Sequence, residues 1–149
     1  MPLPQGVPTS PAQLCLLSSL PPAHSTQPPR VRLVGRVIAY DPEHALALLA
    51  DGPHGVVVDL SLVLFHQGPA APRPKDRLML TGELVLREAP LPLPEVDSSL
   101  PPTSTTSPEV DPRVVLVAER SQQCEELDME RWREAVRAVR EHGALARGD

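Results

Sequence analysis

Aromatic side chains are nearly missing from this 149-residue chain, which holds one Trp, one Tyr and one Phe. Proteins that grip single-stranded nucleic acid usually stack successive bases on several aromatics, at ~1–3 kcal/mol per base. Three aromatics exclude an extended stacking platform, so any contact of that kind is auxiliary. The same scarcity leaves Leu, Val, Ile and Ala to build the core. Strongly basic stretches are missing too. Arg30 to Arg87 carries seven bases against six acids, Glu88 to Pro112 five acids and no base, and Arg113 onward seven bases against eight acids. With a net charge of -5, tight nucleic-acid binding by this chain alone is not expected, because phosphate neutralisation supplies most of such affinity.

Cysteine is rare. Cys15 and Cys124 stand apart without CxxC or metal-type spacing, which fits a reducing compartment and argues against a disulfide. No apolar run approaches the ~20 residues of a membrane-spanning helix. The short "LCLLSSL" is a weak signal-like core with no positive charge ahead of it. A soluble, intracellular protein is expected. Catalytic signatures are lacking as well, with no GxGxxG, P-loop or HExxH.

Proline, by contrast, is abundant. Eight of the twenty prolines precede Arg30, seven lie between Pro90 and Pro112, and none follows. Such clustering cannot bury a core. It predicts a flexible tail over 1–11 and a disordered insertion over 89–112, and leaves one domain over 12–145. Ala12 to Leu20 fits one or two helical turns or a short strand, with Ser10 and Pro11 as a helix start.

Between the proline clusters the pattern is β. Arg30 to Tyr40 reads as a long strand, with Val31, Leu33, Gly35, Val37 and Ala39 on one face and Arg32, Val34, Arg36, Ile38 and Tyr40 on the other. "DPEH" forms a turn with Pro in second position, and Ala45 to Ala50 returns as a second strand. "DGPHG" turns again into a third strand, Val56 to Leu64. The "DRLMLTGELVLRE" segment alternates most clearly, with Leu78, Leu80, Gly82, Leu84 and Leu86 inward. "RVVLVAE" is the fifth strand. A helix over 121–142 follows, capped by Ser121 or Asp128 and stopped at Gly143.

Glycine inside a strand weakens it and often marks a tight bend at a barrel corner. Gly35 and Gly82 therefore point to strands that coil sharply. Five strands, two inward glycines and a terminal helix predict an all-β fold, a five-stranded OB-fold barrel with a C-terminal α-helix. A sandwich would need about seven strands.

Asp51, His54 and Asp59 lie within nine residues, a spacing that raises acid–base or metal chemistry. Asp-Gly and Pro-His-Gly are ordinary turn formers, however, and no Ser or Cys nucleophile accompanies them. His24, His44, His66 and His142 lack ligand spacing. No enzyme, metal or cofactor is expected. Arg32, Arg36 and Tyr40 share a strand face, with Lys75 and Arg77 near the start of the fourth strand, and are the candidate nucleic-acid-binding residues. A solvated strand face accounts for them equally well. On the terminal helix Met129, Trp132, Val136 and Val139 recur at spacings of three, four and three. The stripe either packs on the barrel or binds a partner, and the chain's sole Trp favours a partner anchor.

"QLCLLSSLPP", "VRLVGRVIAYDPEHALALLAD", "GVVVDLSLVL" and "LTGELV", taken in order, resemble the fungal form of the Ten subunit, the smallest member of the CST telomere-capping complex. The resemblance implies a single OB-fold whose terminal helix pairs with an Stn-type OB-fold subunit, so Met129, Trp132, Val136 and Val139 would belong to that interface. It further implies a nuclear, telomeric location, an indirect link to the third CST subunit, and weak or auxiliary binding of single-stranded telomeric DNA. The insertion from Ala89 to Pro112 departs from the compact family form. Other readings are the small subunit of a replication-protein-A-like single-strand binder, a hydrolase using Asp51, His54 and Asp59, and an interaction barrel unrelated to DNA.

Overall fold

The computed structural model describes residues 12–68, 72–94 and 108–146. The tail expected over 1–11 and the centre of the insertion, 95–107, lie outside them. A two-residue strand β1 (Gln13–Leu14) and a 3-10 turn (Leu17–Ser19) lead into β2 (Arg30–Asp41), β3 (Leu46–Asp51) and β4 (His54–Asp59). A short helix α1 (Ser61–Gln67), two long strands β5 (Arg77–Leu86) and β6 (Val114–Gln123), and helix α2 (Met129–Ala146) complete the chain.

The strands run in the order β1-β2-β3-β4-β6-β5, and β5 pairs back onto β2. Five strands thus close into a ring, antiparallel throughout except where β4 meets β6 in parallel from Val57↔Val115 to Asp59↔Val117. This is the expected OB-fold barrel. Closure removes the free sheet edges that invite aggregation. Inside lie Val31, Leu33, Val37, Leu49, Val56, Val58, Leu80, Leu84 and Leu116, among other aliphatics.

Both glycines sit where the wall is most crowded. A Cβ on Gly35 would lie 2.7 Å from Leu49 Cγ and 3.1 Å from Leu17 Cδ1. One on Gly82 would lie 2.1 Å from the Val117 carbonyl oxygen. Gly82 adjoins a bulge, because β6 pairs Arg120 with Thr81 but Ala118 with Gly82, leaving Glu119 over. The bulged strand bends there, as bulges require.

Three element boundaries differ from expectation. The run "VVVDLSLVL" does not remain a strand to Leu64. β4 ends at Asp59, whose Oδ1 accepts from the Ser61 N–H (2.9 Å) and hydroxyl (2.6 Å) and starts α1. Short apolar runs carry no periodicity that separates strand from buried helix. Leu60 and Val63 enter the core, so α1 plugs an end of the barrel. The fifth strand extends to Gln123 rather than Glu119, since the first half of β5 needs a partner; Leu78 pairs with Gln123 and Leu80 with Ser121. Ser121 is therefore a strand residue and not a cap. Asp128 caps α2, accepting from the N–H groups of Glu130 (3.0 Å) and Arg131 (3.4 Å), and the helix runs through Gly143 to Ala146.

The insertion is ordered at both described ends. Leu91 N–H donates to the Pro112 carbonyl at 2.9 Å, and Glu109 exchanges backbone bonds with Pro53 and Gly55 at 2.8 and 3.0 Å. Leu91 and Val110 pack on a second apolar cluster of Ala39, Leu46, Leu48, Val57 and Val115. Ala39–Leu48–Val57–Val115 is a continuous cross-strand row. It occupies the outer face of the barrel, because the alternate positions Leu49, Val56, Val58 and Leu116 point in.

Candidate functional site

Strand pairing assembles the arginines of β2, β5 and β6 on one outer face. Arg32 pairs with Thr81, and Thr81 with Arg120, giving a row of cation, hydroxyl and cation across three strands. Arg32 Nε donates to Thr81 Oγ1 at 3.1 Å, which satisfies the one buried polar side chain among the described residues and orients the guanidinium. Two residues along, Val34 and Met79 are partners and Met79 pairs with Gln122. Beyond them Arg36 stands opposite Arg77. These two like charges tolerate each other because each donates to backbone carbonyls, Arg36 to Lys75 (2.7 Å) and Arg77 to Leu127 (2.8 Å). Lys75 adjoins them in a left-handed conformation at φ 78°.

The structure thus brings together Arg32, Arg36, Lys75 and Arg77, and removes Tyr40 from their face. β2 pairs Val37 with Leu49 but Ala39 with Leu48, so Ile38 is the extra residue of a bulge. Alternation reverses after it. Ala39 joins the outer cluster and Tyr40 packs against the interior cluster, where burial raises its phenol pKa. Two residues escaped the sequence reading. Arg120 lay beyond the strand end assigned there. Phe65, just past the strand end assigned at Leu64, sits on α1 with 82% of its surface exposed.

Asp51, His54 and Asp59 do not converge. Asp51 accepts from Arg133 at 2.8 Å, and Asp59 caps α1. His54 and Asp59 are the two ends of β4, about 17 Å apart at ~3.4 Å per residue. The carboxylates already have structural partners. Asp41, Glu43 and His44 do cluster in the β2–β3 turn. There His44 Nδ1 lies 2.7 Å from Asp41 Oδ2, and that hydrogen bond lowers the Asp41 pKa and raises that of His44. Both cysteines are free, and burial pushes each thiol pKa up.

The apolar stripe of α2 is divided. Val136 is fully buried, between two clasps to the barrel, Arg133 to Asp51 and Arg140 to Ser19 Oγ at 3.0 Å. That part of the stripe packs on its own chain. Met129 and Trp132 are half-buried, and Val139 is 52% exposed. Trp132 Nε1 is out of contact with solvent and has no hydrogen-bond acceptor among the described residues. No described helix is long and apolar enough to cross a membrane.

The described residues form a five-stranded OB-type barrel with helix α2 clasped outside it and arginines across one face. No family model matches the chain, and no curated protein matches its sequence. Among solved structures, it is similar to a chain of the S. pombe Stn1–Ten1 complex at TM-score 0.57 and 14% identity, covering 89% of this chain and 95% of the other. It is also similar to the S. pombe telomere capping protein Ten1 at TM-score 0.54 and 14% identity, covering 87% and 98%. At that identity the likeness is one of fold. It falls on the same protein type that the sequence resembles.

Proposed function

We propose that the chain is a non-enzymatic telomere-capping subunit of the Ten type, acting in the nucleus as partner of an Stn-type OB-fold protein. The observation that carries this reading is the agreement in fold with Ten1, over 87% of this chain and 98% of the other. The outer side of α2 is the partner surface. Val136 fixes the helix to the barrel, while Val139 and the edge of Trp132 remain for the partner, an apolar pair within a highly charged helix. The arginine face supports binding of single-stranded telomeric DNA in the assembled complex, and contact with the third CST subunit is indirect.

Co-expression with an Stn-type subunit, followed by size-exclusion chromatography, tests the pairing. A 1:1 complex should form with the wild-type chain. Val139→Asp should weaken it at least about tenfold, as expected for a central interface side chain, without lowering the melting temperature of the free chain. A folded wild-type chain that ignores the partner would overturn the reading.

A further inference from the structure

We propose that the outer face of β2, β5 and β6 is a track for single-stranded nucleic acid, with Arg32 and Arg120 holding phosphates and Phe65 stacking a base at its edge. This rests on the capping function above and locates its DNA contact. In five-stranded barrels of this topology the usual oligonucleotide face is that of the second and third barrel strands and the neighbouring loops, here β3 and β4. That face is occupied in this chain. The row Ala39–Leu48–Val57–Val115 lies beneath Leu91 and Val110, and Glu109 bonds to the backbone on either side of His54. A ligand would have to displace a packed apolar layer.

The opposite face is open and its chemistry is complementary to a phosphate backbone. Arg32 and Arg120 flank Thr81 and are both exposed. Arg120 makes no ion pair with a described residue, and Arg32 bonds only through Nε, leaving the rest of its guanidinium available. The row borders a groove of about 640 Å³ lined also by His66, Gln67, Met79 and Gln122. Its one acid, Glu119, is neutralised by Arg30 at 2.8 Å. A deprotonated carboxylate already engaged by a guanidinium does not repel phosphate as a free one would.

Phe65 supplies the stacking surface. It is 82% exposed and is carried by a helix that is tied to the barrel. His66 meets its ring edge-on at a centroid distance of 5.1 Å. Gln67 bonds both backbone groups of Ser121, accepting from N–H at 2.9 Å and donating to the carbonyl at 3.1 Å. These bonds tie α1 to the strand that carries Arg120. Phe65 is thus an exposed aromatic next in the chain to His66 and Gln67, which line the groove with the arginines, and sequence-tolerant single-strand binders combine such stacking surfaces with backbone contacts.

The test is fluorescence anisotropy of a labelled oligothymidylate, titrated with the full chain alone and in complex with the Stn-type partner over a range of salt concentrations. Phe65→Ala should weaken binding at least about fivefold, the low end for one stacked base. Arg32→Gln with Arg120→Gln should weaken it and lower the log–log salt slope by about 1.4, from ~0.7 per phosphate released. Arg87→Gln with Arg113→Gln, an equal charge change at exposed residues beyond the Leu86↔Val114 end of β5 and β6, is the control and should leave binding within about twofold. Equal losses in the control would show diffuse attraction and overturn the track. So would unchanged binding in Phe65→Ala, or loss of partner co-purification in that variant with DNA binding intact, which would make α1 a protein-docking surface. Pairing is read separately. Binding that needs the track while the partner is ignored leaves the track standing and removes the capping function, and the reverse result removes the track alone.

Discussion

Adding one methyl group at each inward glycine should have very unequal consequences. At Gly35 every atom that crowds the new Cβ belongs to a side chain, Leu49 at 2.7 and 2.9 Å and Leu17 at 3.1 Å. Leu49 is a core residue and cannot swing to solvent, but its χ angles can adjust. Overpacking of that kind costs about 1–3 kcal/mol. At Gly82 the crowding atoms are backbone, the Val117 oxygen at 2.1 Å and the Ala118 Cα at 2.8 Å. Moving from 2.1 Å to an ordinary contact of 3.4 Å needs about 1.3 Å of strand displacement. β6 cannot move so far without opening the ladder at the bulge. Two backbone hydrogen bonds left unmade in a dry interior cost about 1–3 kcal/mol each, and the loosened packing of Leu84 and Leu116 adds more. Gly82→Ala should therefore lose about 4–6 kcal/mol, a large share of the ~5–15 kcal/mol that stabilises a typical domain. Urea unfolding of both variants, followed by far-ultraviolet circular dichroism, gives the comparison. A soluble Gly82→Ala protein whose stability lies within about 1 kcal/mol of Gly35→Ala would refute the close approach of β5 and β6.

Val136→Ala should cost about 2 kcal/mol, from two methyl groups at ~0.8 each and the cavity they leave; the urea midpoint reports it. Trp132→Phe should leave the free chain as stable as wild type or raise its melting temperature, because a buried N–H without an acceptor costs about 1–3 kcal/mol. A clear loss of stability would reveal an acceptor. His44 should titrate above an ordinary histidine, and Asp41→Asn should bring it down, as followed by imidazole proton NMR. The raised His44 pKa means that the pair's contribution is fully present below the unfolded value and fades as pH rises through the folded value. The lowered Asp41 pKa means that it is also lost in acid, as pH falls through the folded carboxyl value. Cys15, buried with a raised pKa, should react with a thiol reagent at mildly alkaline pH only after denaturation, since the thiolate is the reactive species.

The barrel was legible in the sequence because its determinants are local. Alternation over Leu78, Leu80, Leu84 and Leu86 fixes a face, and the inward glycines Gly35 and Gly82 fall where neighbouring atoms leave no room for a side chain. What escaped depends on partners far along the chain. Nothing near Leu60 says that the run must turn into α1, since the reason is an open barrel end that Val63 fills. The bulge at Ile38 is invisible to a period of two, and it reverses the faces of Ala39 and Tyr40. Arg120 was missed because β6 outruns its apolar stretch, held by its ladder to β5. The arginine row was half legible: parity placed Arg32 and Arg36 together, but only strand pairing adds Arg120 to them. The proline count gave no sign of the two anchors between β5 and β6, Leu91 and Val110.

The parallel contact between β4 and β6 also dictates an order of assembly. Hairpins β2–β3 and β3–β4 join neighbours in the chain and can form as soon as their turns exist, whereas the ring stays open until Val114–Gln123 arrives. Until then β4 and β5 each present an unpaired edge, and the growing polypeptide on the ribosome carries both. Separation of contacts along the chain slows folding, so the last strand acts as the latch of a half-built cylinder. Lesions that delay β6, such as a side chain at Gly82, should then lower the yield of newly made protein through misassembly, beyond what their effect on the finished fold predicts.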